Sequence, residues 1–223
     1  MADDVTYVYY PVFSGIGRRY QAEPPHDLQL QEFDLVLKRF SDRVTIRGVY
    51  DCTGFRTYGD LLMWWVARSA DDIQELVGAL QKTSLGRQMF LTHAFMGVHR
   101  PPEFNPQHVP AFMRGEPPRK YICVYPFVRT PEWYLLPAEK RSALLKEHGE
   151  MGREYPDVLP NTTSAFGLGD HEWILAFEAD ELHRIVDCIR RLRDSESRRY
   201  VKHETPFVVG IRKELRAAIA DLA

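Results

Sequence analysis

The chain has 223 residues, of which 44% are hydrophobic, so it can form one large or two small domains with a packed core. Its 29 lysines and arginines are matched by 31 aspartates and glutamates, for a net charge of −2, and no global basic field would attract nucleic acid or an anionic membrane. The opening MADDVTYVYY lacks the basic region of a signal peptide, and no apolar run approaches the roughly 20 residues that span a bilayer, so we expect a cytoplasmic protein.

The first half of the chain is predicted to fold in the order β-α-β-β-α-β. Ser69 suits the N-cap of the second helix, and the aspartates after it suit the helix dipole. The predicted elements are strands at 6–17, 44–51, 61–67 and 89–98, with helices at 26–43 and 69–83.

The second half repeats this order. The segments GDLLMWWVARSADDIQELVGAL and GDHEWILAFEADELHRIVDCIRRL share a Gly-Asp turn, a tryptophan-containing strand and an acidic helix start, which indicates a duplicated unit. The predicted elements are strands at 121–128, 162–169, 172–179 and 205–211, with helices at 138–152 and 180–194.

The pattern predicts an α+β fold of two tandem ferredoxin-like modules, each an antiparallel sheet with helices on one face, as in the dimeric α/β barrel type. We place the N-terminal module at 1–98 and the C-terminal module at 121–223. The connecting loop, 99–120, is rich in proline and polar residues but includes apolar side chains, so we expect it to pack back on the protein.

The three cysteines, Cys52, Cys123 and Cys188, are far apart and lack CxxC spacing. Neither a disulfide framework nor a zinc site is indicated, and we expect buried thiols.

Common catalytic signatures are missing from the sequence. It contains no GxSxG, P-loop, HExxH or GxGxxG motif and no paired Cys/His cluster, which disfavours simple hydrolases and dinucleotide enzymes. On the helix at 138–152, Leu144, Leu145, His148 and Met151 share an apolar stripe, which we expect to be buried. A lone buried histidine is more often a hydrogen-bonded core residue than a metal ligand. One imidazole is too few for zinc, although it is enough for a heme.

The stretch CVYPFVRTPEW, residues 123–133, places Tyr125 directly before Pro126 in an apolar strand. By pattern alone, Tyr125 is a half-buried strand tyrosine and Pro126 marks the end of the strand.

A set of motifs distributed along the chain resembles one known family. The motifs YICVYPFVR, EWYLLP, EHG, GLGDHEWILAFEADELHRIVD, GVHRPPEFN, HVPAFMRGEPP and ETPFVVG are together similar to the actinobacterial coproheme decarboxylases of the chlorite dismutase superfamily. The resemblance implies two ferredoxin-like modules per subunit, a heme site in the C-terminal module, a distal side supplied by the loop 99–120, and a homopentameric ring.

The resemblance also implies roles for five residues. His148 matches the axial iron ligand, Tyr125 the redox-active tyrosine, and His108 the distal histidine. Arg129 would be a cation near the anionic edge of the porphyrin, and Trp133 a donor or packing wall beside it. The structural alternatives are a core aromatic for Tyr125, a solvated charge for Arg129 and packing at a helix entry for Trp133.

The implied reaction is hydrogen-peroxide-dependent oxidative decarboxylation of iron coproporphyrin III (coproheme), which is both substrate and redox cofactor. Propionates 2 and 4 become vinyl groups, giving heme b through a monovinyl intermediate in the last step of coproporphyrin-dependent heme biosynthesis. His108 would take a proton from peroxide, since a free imidazole has a pKa near 6.5. Tyr125 would act as a tyrosyl radical. Partners would be peroxide, the other subunits of the pentamer and, transiently, a coproporphyrin ferrochelatase.

Two alternatives stay open at this point. A chlorite dismutase shares the fold and the proximal histidine, but it depends on a distal arginine, and the aligned stretch NTTSAFGLG contains none. A heme-binding or heme-transfer protein without chemistry of its own would use Tyr125 and His108 as pocket lining.

Overall fold

The computed structural model describes residues 5–15, 27–100 and 109–220. The chain divides into two compact units, one formed by Met1–His108 with Val208–Ala223 and the other by Val109–Phe207. None of the helices in these ranges is long and apolar enough to cross a membrane.

In the described residues of the first unit there are five strands and three α-helices. In chain order they are β1 (Thr6–Gly15), α1 (Asp27–Arg39), β2 (Val44–Asp51), β3 (Leu61–Ala67), α2 (Ala70–Lys82), a 3₁₀ turn (Gly86–Gln88), β4 (Met89–His99), β9 (Val208–Arg212) and α6 (Leu215–Ala220). As predicted, the Ser69 side chain caps α2 by accepting a hydrogen bond from the N–H of Asp71.

The sheet of the first unit is antiparallel, in the order β4-β1-β3-β2-β9. Its buried cluster joins the inward side chains of α1, such as Phe33, and of α2, such as Leu76, to sheet residues that include Trp65. Burial of these apolar side chains is the main stabilising contribution to such a layer.

The second unit contains four strands and three α-helices. They are β5 (Tyr121–Arg129), α3 (Pro131–Leu135), α4 (Ala138–Gly152), β6 (Leu159–Ser164), β7 (Trp173–Ala179), α5 (Leu182–Leu192), a 3₁₀ turn (Glu196–Tyr200) and β8 (Val201–His203). The sheet is antiparallel, in the order β6-β7-β5-β8.

Both units have the same connectivity. When the strands of each repeat are numbered one to four along the chain, both sheets run 4-1-3-2, which is the ferredoxin-like order. The predicted α+β duplication is therefore confirmed.

The last predicted strand lies in a different unit from the one expected. We predicted 205–211 as the fourth strand of the C-terminal module, but the short β8 takes that position, and β9 pairs with β2 of the first unit. Gly210 permits this close approach, because a Cβ there would lie 2.8 Å from Cβ of Tyr50 and 2.9 Å from Sγ of Cys52. The structure thus differs from the predicted 121–223 module in assigning 208–223 to the first unit.

Candidate functional site

Tyr125 lies in the middle of β5, opposite Leu175 of β7. Its side chain is 7% exposed, and its ring contacts those of Phe207, at a centroid distance of 4.5 Å, and Phe177, at 5.9 Å. Pro126 does not end the strand, which continues to Arg129. The pattern-based alternative is therefore right in placing Tyr125 in a strand, but the side chain is buried and not half-buried.

The phenol of Tyr125 is protonated at neutral pH. Burial raises its pKa well above the usual value of 10, and the nearby Cys123 and Glu204 raise it further, while Arg193 opposes them. A buried phenol of this kind is a poor base but can donate an electron together with its proton.

Arg129, at the end of β5, is a buried cation. It is 9% exposed, so the alternative of a solvated surface charge is wrong. Its Cζ lies 4.0 Å from the ring centroid of Trp133 and 4.9 Å from that of Phe127, and its Nη1 donates a hydrogen bond to the main-chain carbonyl of Ser197 (3.0 Å).

No carboxylate in the described part of the chain forms an ion pair with the Arg129 guanidinium. Burial lowers its pKa to about 10, an effect that Tyr134 and Glu172 oppose and Arg198 reinforces, so the group is still charged at neutral pH. A buried cation without a direct anionic neighbour favours a ligand that carries a carboxylate.

Trp133 lies on the short helix α3 and is 6% exposed. The Arg129 guanidinium lies over the Trp133 ring, which also contacts the ring of Tyr200 at a centroid distance of 5.7 Å. Arg129 and Trp133 are thus in direct contact, and their roles toward a porphyrin stay predictions.

His148 lies on α4 and is half-buried. Its Nδ1 is shielded from solvent and has no hydrogen-bond partner among the residues at 5–15, 27–100 and 109–220. Burial, followed by the positive charge of Arg129, lowers its pKa below 6.5, so the imidazole is neutral at physiological pH. A neutral imidazole whose shielded Nδ1 has no hydrogen-bond partner in the described residues is unlike an ordinary hydrogen-bonded core histidine.

The apolar stripe around His148 differs from its prediction. No residue of α4 is fully buried within the chain, and Leu145 is 43% exposed. The predicted burial of this stripe is wrong, because the other elements of the unit leave this face of the helix only partly covered. A half-covered apolar face around a neutral imidazole can accept an apolar ligand.

Glu172, Tyr134 and Trp173 form a network that was not anticipated from the sequence. The Tyr134 hydroxyl donates to Oε2 of Glu172 (2.6 Å) and accepts a hydrogen bond from Nε1 of Trp173 (3.3 Å). The same Oε2 accepts the main-chain N–H of Arg129 (2.8 Å). The Gly-Asp turn before Glu172 indicates the repeat, but nothing in its spacing predicts these contacts.

The predicted distal residue, His108, lies outside the described residues. The segment that follows it folds onto the second unit, where the N–H of Phe112 donates to Oδ1 of Asn161 (3.0 Å) and Nη1 of Arg114 donates to the carbonyl of Val109 (2.6 Å). This part of the connecting segment packs back on the protein, as predicted.

The residues of the second unit fit an iron porphyrin with carboxylate side chains. One neutral imidazole can complete the coordination of an iron that already has four porphyrin nitrogens. The buried Arg129 can receive a carboxylate, and Tyr125 is a protonated phenol enclosed by aromatic rings. Within the described ranges, no group of three or more His, Cys, Asp or Glu residues is placed to hold a metal ion.

Comparison with known proteins identifies relatives that match most of the chain. A family model described as chlorite dismutase matches residues 27–213. A coproheme decarboxylase from Mycolicibacterium smegmatis is 48% identical over 220 residues, which cover 98% of this chain and 94% of that protein. A coproheme decarboxylase from Thermus thermophilus is 29% identical over 177 residues, covering 73% of this chain and 70% of the relative.

Solved structures support the same architecture. The structure of chlorite dismutase from Candidatus Nitrospira defluvii in complex with imidazole superposes with a TM-score of 0.86, covering 100% of this chain and 96% of that chain. Its sequence identity of 23% makes it evidence for the fold alone.

Proposed function

Since the chain belongs to the chlorite dismutase family, we propose that it is a coproheme decarboxylase, an enzyme that uses hydrogen peroxide to convert iron coproporphyrin III into heme b. The observation that carries the proposal is the 48% identity, over 98% of the chain, to a coproheme decarboxylase. The site supports it, because a neutral imidazole, a buried cation and a buried phenol lie in one unit.

His148 and Arg129 would bind the substrate. His148 would hold the iron through its neutral imidazole, and Arg129 would receive a propionate carboxylate at its buried guanidinium. Trp133 would act as a wall that keeps the guanidinium in place through their cation–π contact at 4.0 Å. When bound, the iron porphyrin supplies the redox chemistry by which peroxide is reduced.

Tyr125 would carry the oxidising equivalent to the propionate. As a phenoxyl radical it would take one hydrogen atom from the propionate chain, and loss of carbon dioxide and one further electron would complete the vinyl group. One propionic acid and one peroxide thus give one vinyl group, one carbon dioxide and two water molecules. We propose that propionates 2 and 4 react in this way through a monovinyl intermediate.

His108 would take a proton from peroxide. An imidazole with an ordinary pKa near 6.5 is half neutral close to physiological pH, whereas peroxide alone ionises too little. The family resemblance of the QHVPAF motif supports this role.

Anaerobic loading with iron coproporphyrin III, followed by peroxide titration and mass spectrometry of the porphyrin, tests the function. Successive loss of two carboxyl groups is the expected result. An unchanged porphyrin would favour a heme-transfer protein, and oxygen release from chlorite would favour a chlorite dismutase. The latter is disfavoured because the NTTSAFGLG stretch lacks an arginine.

We further propose a homopentamer, a cytoplasmic location and a transient contact with a ferrochelatase. The pentamer and the ferrochelatase contact rest on the family resemblance. The location is supported by Cys52, Cys123 and Cys188, which are all buried free thiols, as is common in reducing compartments.

A further inference from the structure

We propose that Glu172 is a positioning residue, which fixes both members of the Arg129–Trp133 pair and so prepares the Arg129 guanidinium for a substrate carboxylate. This inference rests on the proposed function, because it assumes that Arg129 receives a propionate. A single carboxylate oxygen of Glu172, Oε2, accepts hydrogen bonds from the end of β5 and from the adjacent helix α3 and so holds the two together.

The first contact holds the backbone of Arg129. Oε2 of Glu172 accepts the Arg129 N–H at 2.8 Å, just beyond Phe127 and Trp173, the last residues paired between β5 and β7. Because the main-chain pairing of these two strands has ended there, the carboxylate takes the place of a main-chain acceptor. The direction in which the Arg129 side chain leaves the strand thereby depends on Glu172.

The second contact holds Trp133 through its neighbour Tyr134. The Tyr134 hydroxyl donates to the same Oε2 at 2.6 Å, which anchors a five-residue helix that has no side-chain N-cap. Trp173 donates to the hydroxyl from the other side at 3.3 Å. Burial and the bond to Glu172 raise the pKa of Tyr134 to about 12, so the hydroxyl keeps its donor proton.

Aromatic rings partly enclose this network. Phe166 makes edge contacts with Tyr134, at a centroid distance of 5.8 Å, and with Trp173, at 5.5 Å, and Phe127 stacks on Trp173 at 6.2 Å. Hydrogen bonds to a carboxylate are stronger where the surroundings are partly dehydrated.

The carboxylate of Glu172 contacts the backbone of Arg129 and makes no hydrogen bond to the Arg129 guanidinium. The carboxylate accepts a hydrogen bond from the main-chain N–H of Arg129, whereas the Arg129 guanidinium donates to the Ser197 carbonyl. Glu172 therefore positions the cation while leaving its charge available to an incoming carboxylate. We expect loss of Glu172 to weaken binding of carboxylate-bearing porphyrins specifically.

Binding affinities of two porphyrins test this inference. Iron coproporphyrin III carries four carboxylates, and its tetramethyl ester carries none. Tryptophan fluorescence quenching, measured in the same dilute detergent, should show that Glu172→Ala and Tyr134→Phe weaken binding of the acid. For Glu172→Ala we expect about tenfold, which corresponds to the loss of one hydrogen bond between the Arg129 guanidinium and a porphyrin carboxylate. Binding of the ester should change less than about twofold.

The matched control is Glu154→Gln, which removes an exposed carboxylate paired with Arg191 in the same unit and should leave both affinities unchanged. A double-mutant cycle of Glu172→Ala with Arg129→Leu should be non-additive, because Glu172 acts through Arg129.

Three results would overturn the inference. Equal losses for the acid and the ester would mean that Glu172 has a general packing role. Unchanged affinity for the acid in both variants, while the wild type binds it, would refute Glu172 positioning and leave the proposed function intact. Failure of the wild type to bind the acid at all would refute the proposed function and this inference with it. If Glu172→Ala does not fold, Tyr134→Phe, which removes the second contact alone, still tests the inference by the comparison of acid and ester.

Discussion

The ring of Tyr125 lies against that of Phe207, with centroids 4.5 Å apart and planes inclined by 31°. Phe207 is the last residue of the second unit, more than eighty positions further along the chain. The contact places the phenol among aromatic groups, where burial keeps it protonated. This environment favours transfer of a hydrogen atom over use of the phenol as a base.

Tyr125→Phe should abolish product formation without disturbing the fold. Phenylalanine keeps the ring contacts with Phe177 and Phe207, and loss of one hydroxyl costs about 1 kcal/mol of unfolding free energy. Coproheme should still bind, while peroxide should oxidise the porphyrin without yielding monovinyl or divinyl products in mass spectrometry. Heme b formation near the wild-type rate would remove Tyr125 from the mechanism.

His148→Ala should weaken coproheme binding at least about tenfold and change the ferric absorption spectrum, because it removes the protein ligand to iron. The exposed His183→Ala is the matched control and should leave both unchanged. A variant at position 148 with wild-type spectrum and affinity would show that His148 is an ordinary structural residue.

The acid stability of the wild-type coproheme complex should reflect the lowered pKa of His148. Only the neutral imidazole can bind iron, and burial together with Arg129 depresses the pKa, so protonation competes only below 6.5. Spectrophotometric titration should therefore show an intact complex as the pH falls through 6.5 and release below that value. Release with a midpoint above 6.5 would contradict the assignment.

His108→Ala should slow the reaction with peroxide at neutral pH and recover in part at alkaline pH. Peroxide ionises without help when the pH is high, so a missing proton acceptor matters less there. Stopped-flow rates of wild type and variant across the same pH series measure the effect. A defect of equal size at every pH would indicate a structural role for the QHVPAF segment.

Asp51→Asn should destabilise the first unit by about 2 kcal/mol at pH 7, because it removes a buried charged acceptor. Asp51 is 2.6 Å from Nζ of Lys213 and also accepts the N–H of Thr53. Burial alone would raise its pKa, but the hydrogen bonds from Lys213 and Thr53 outweigh burial and lower it. The stabilisation is therefore complete above the unfolded pKa of about 3.9 and is lost as the pH falls through the lower folded value.

Urea unfolding at pH 7 and pH 3 measures this difference. The difference in unfolding free energy between wild type and Asp51→Asn should be smaller at pH 3 than at pH 7. Asp34→Asn, which removes an exposed carboxylate paired with Lys38, is the control and should change stability by less than about 0.5 kcal/mol. An equal difference in unfolding free energy at both pH values would show that Asp51 contributes to stability through its shape and not its charge.

Local sequence patterns predicted the order and type of the longer helices and strands, and several of their bounds. The predicted strands at 44–51 and 61–67 and the predicted helix at 138–152 coincide with β2, β3 and α4. Such elements are readable because the alternation of a strand and the turn of a helix are set by residues within a few positions of each other. The resemblance to a family assigned Tyr125, Arg129, Trp133 and His148 to the C-terminal module, and all four lie in the second unit, whereas His108 lies outside the described residues.

The contacts between distant segments could not be predicted from the sequence and are seen in the tertiary structure. Periodicity predicted a strand near Val208 but not its pairing with β2, which depends on the fit of Gly210 against Tyr50. In the same way, nothing near Glu172 in the chain indicates that its carboxylate reaches Arg129 and Tyr134. These contacts join residues about forty positions apart, and they form because packing of the whole unit satisfies buried polar groups, a condition that no local pattern records.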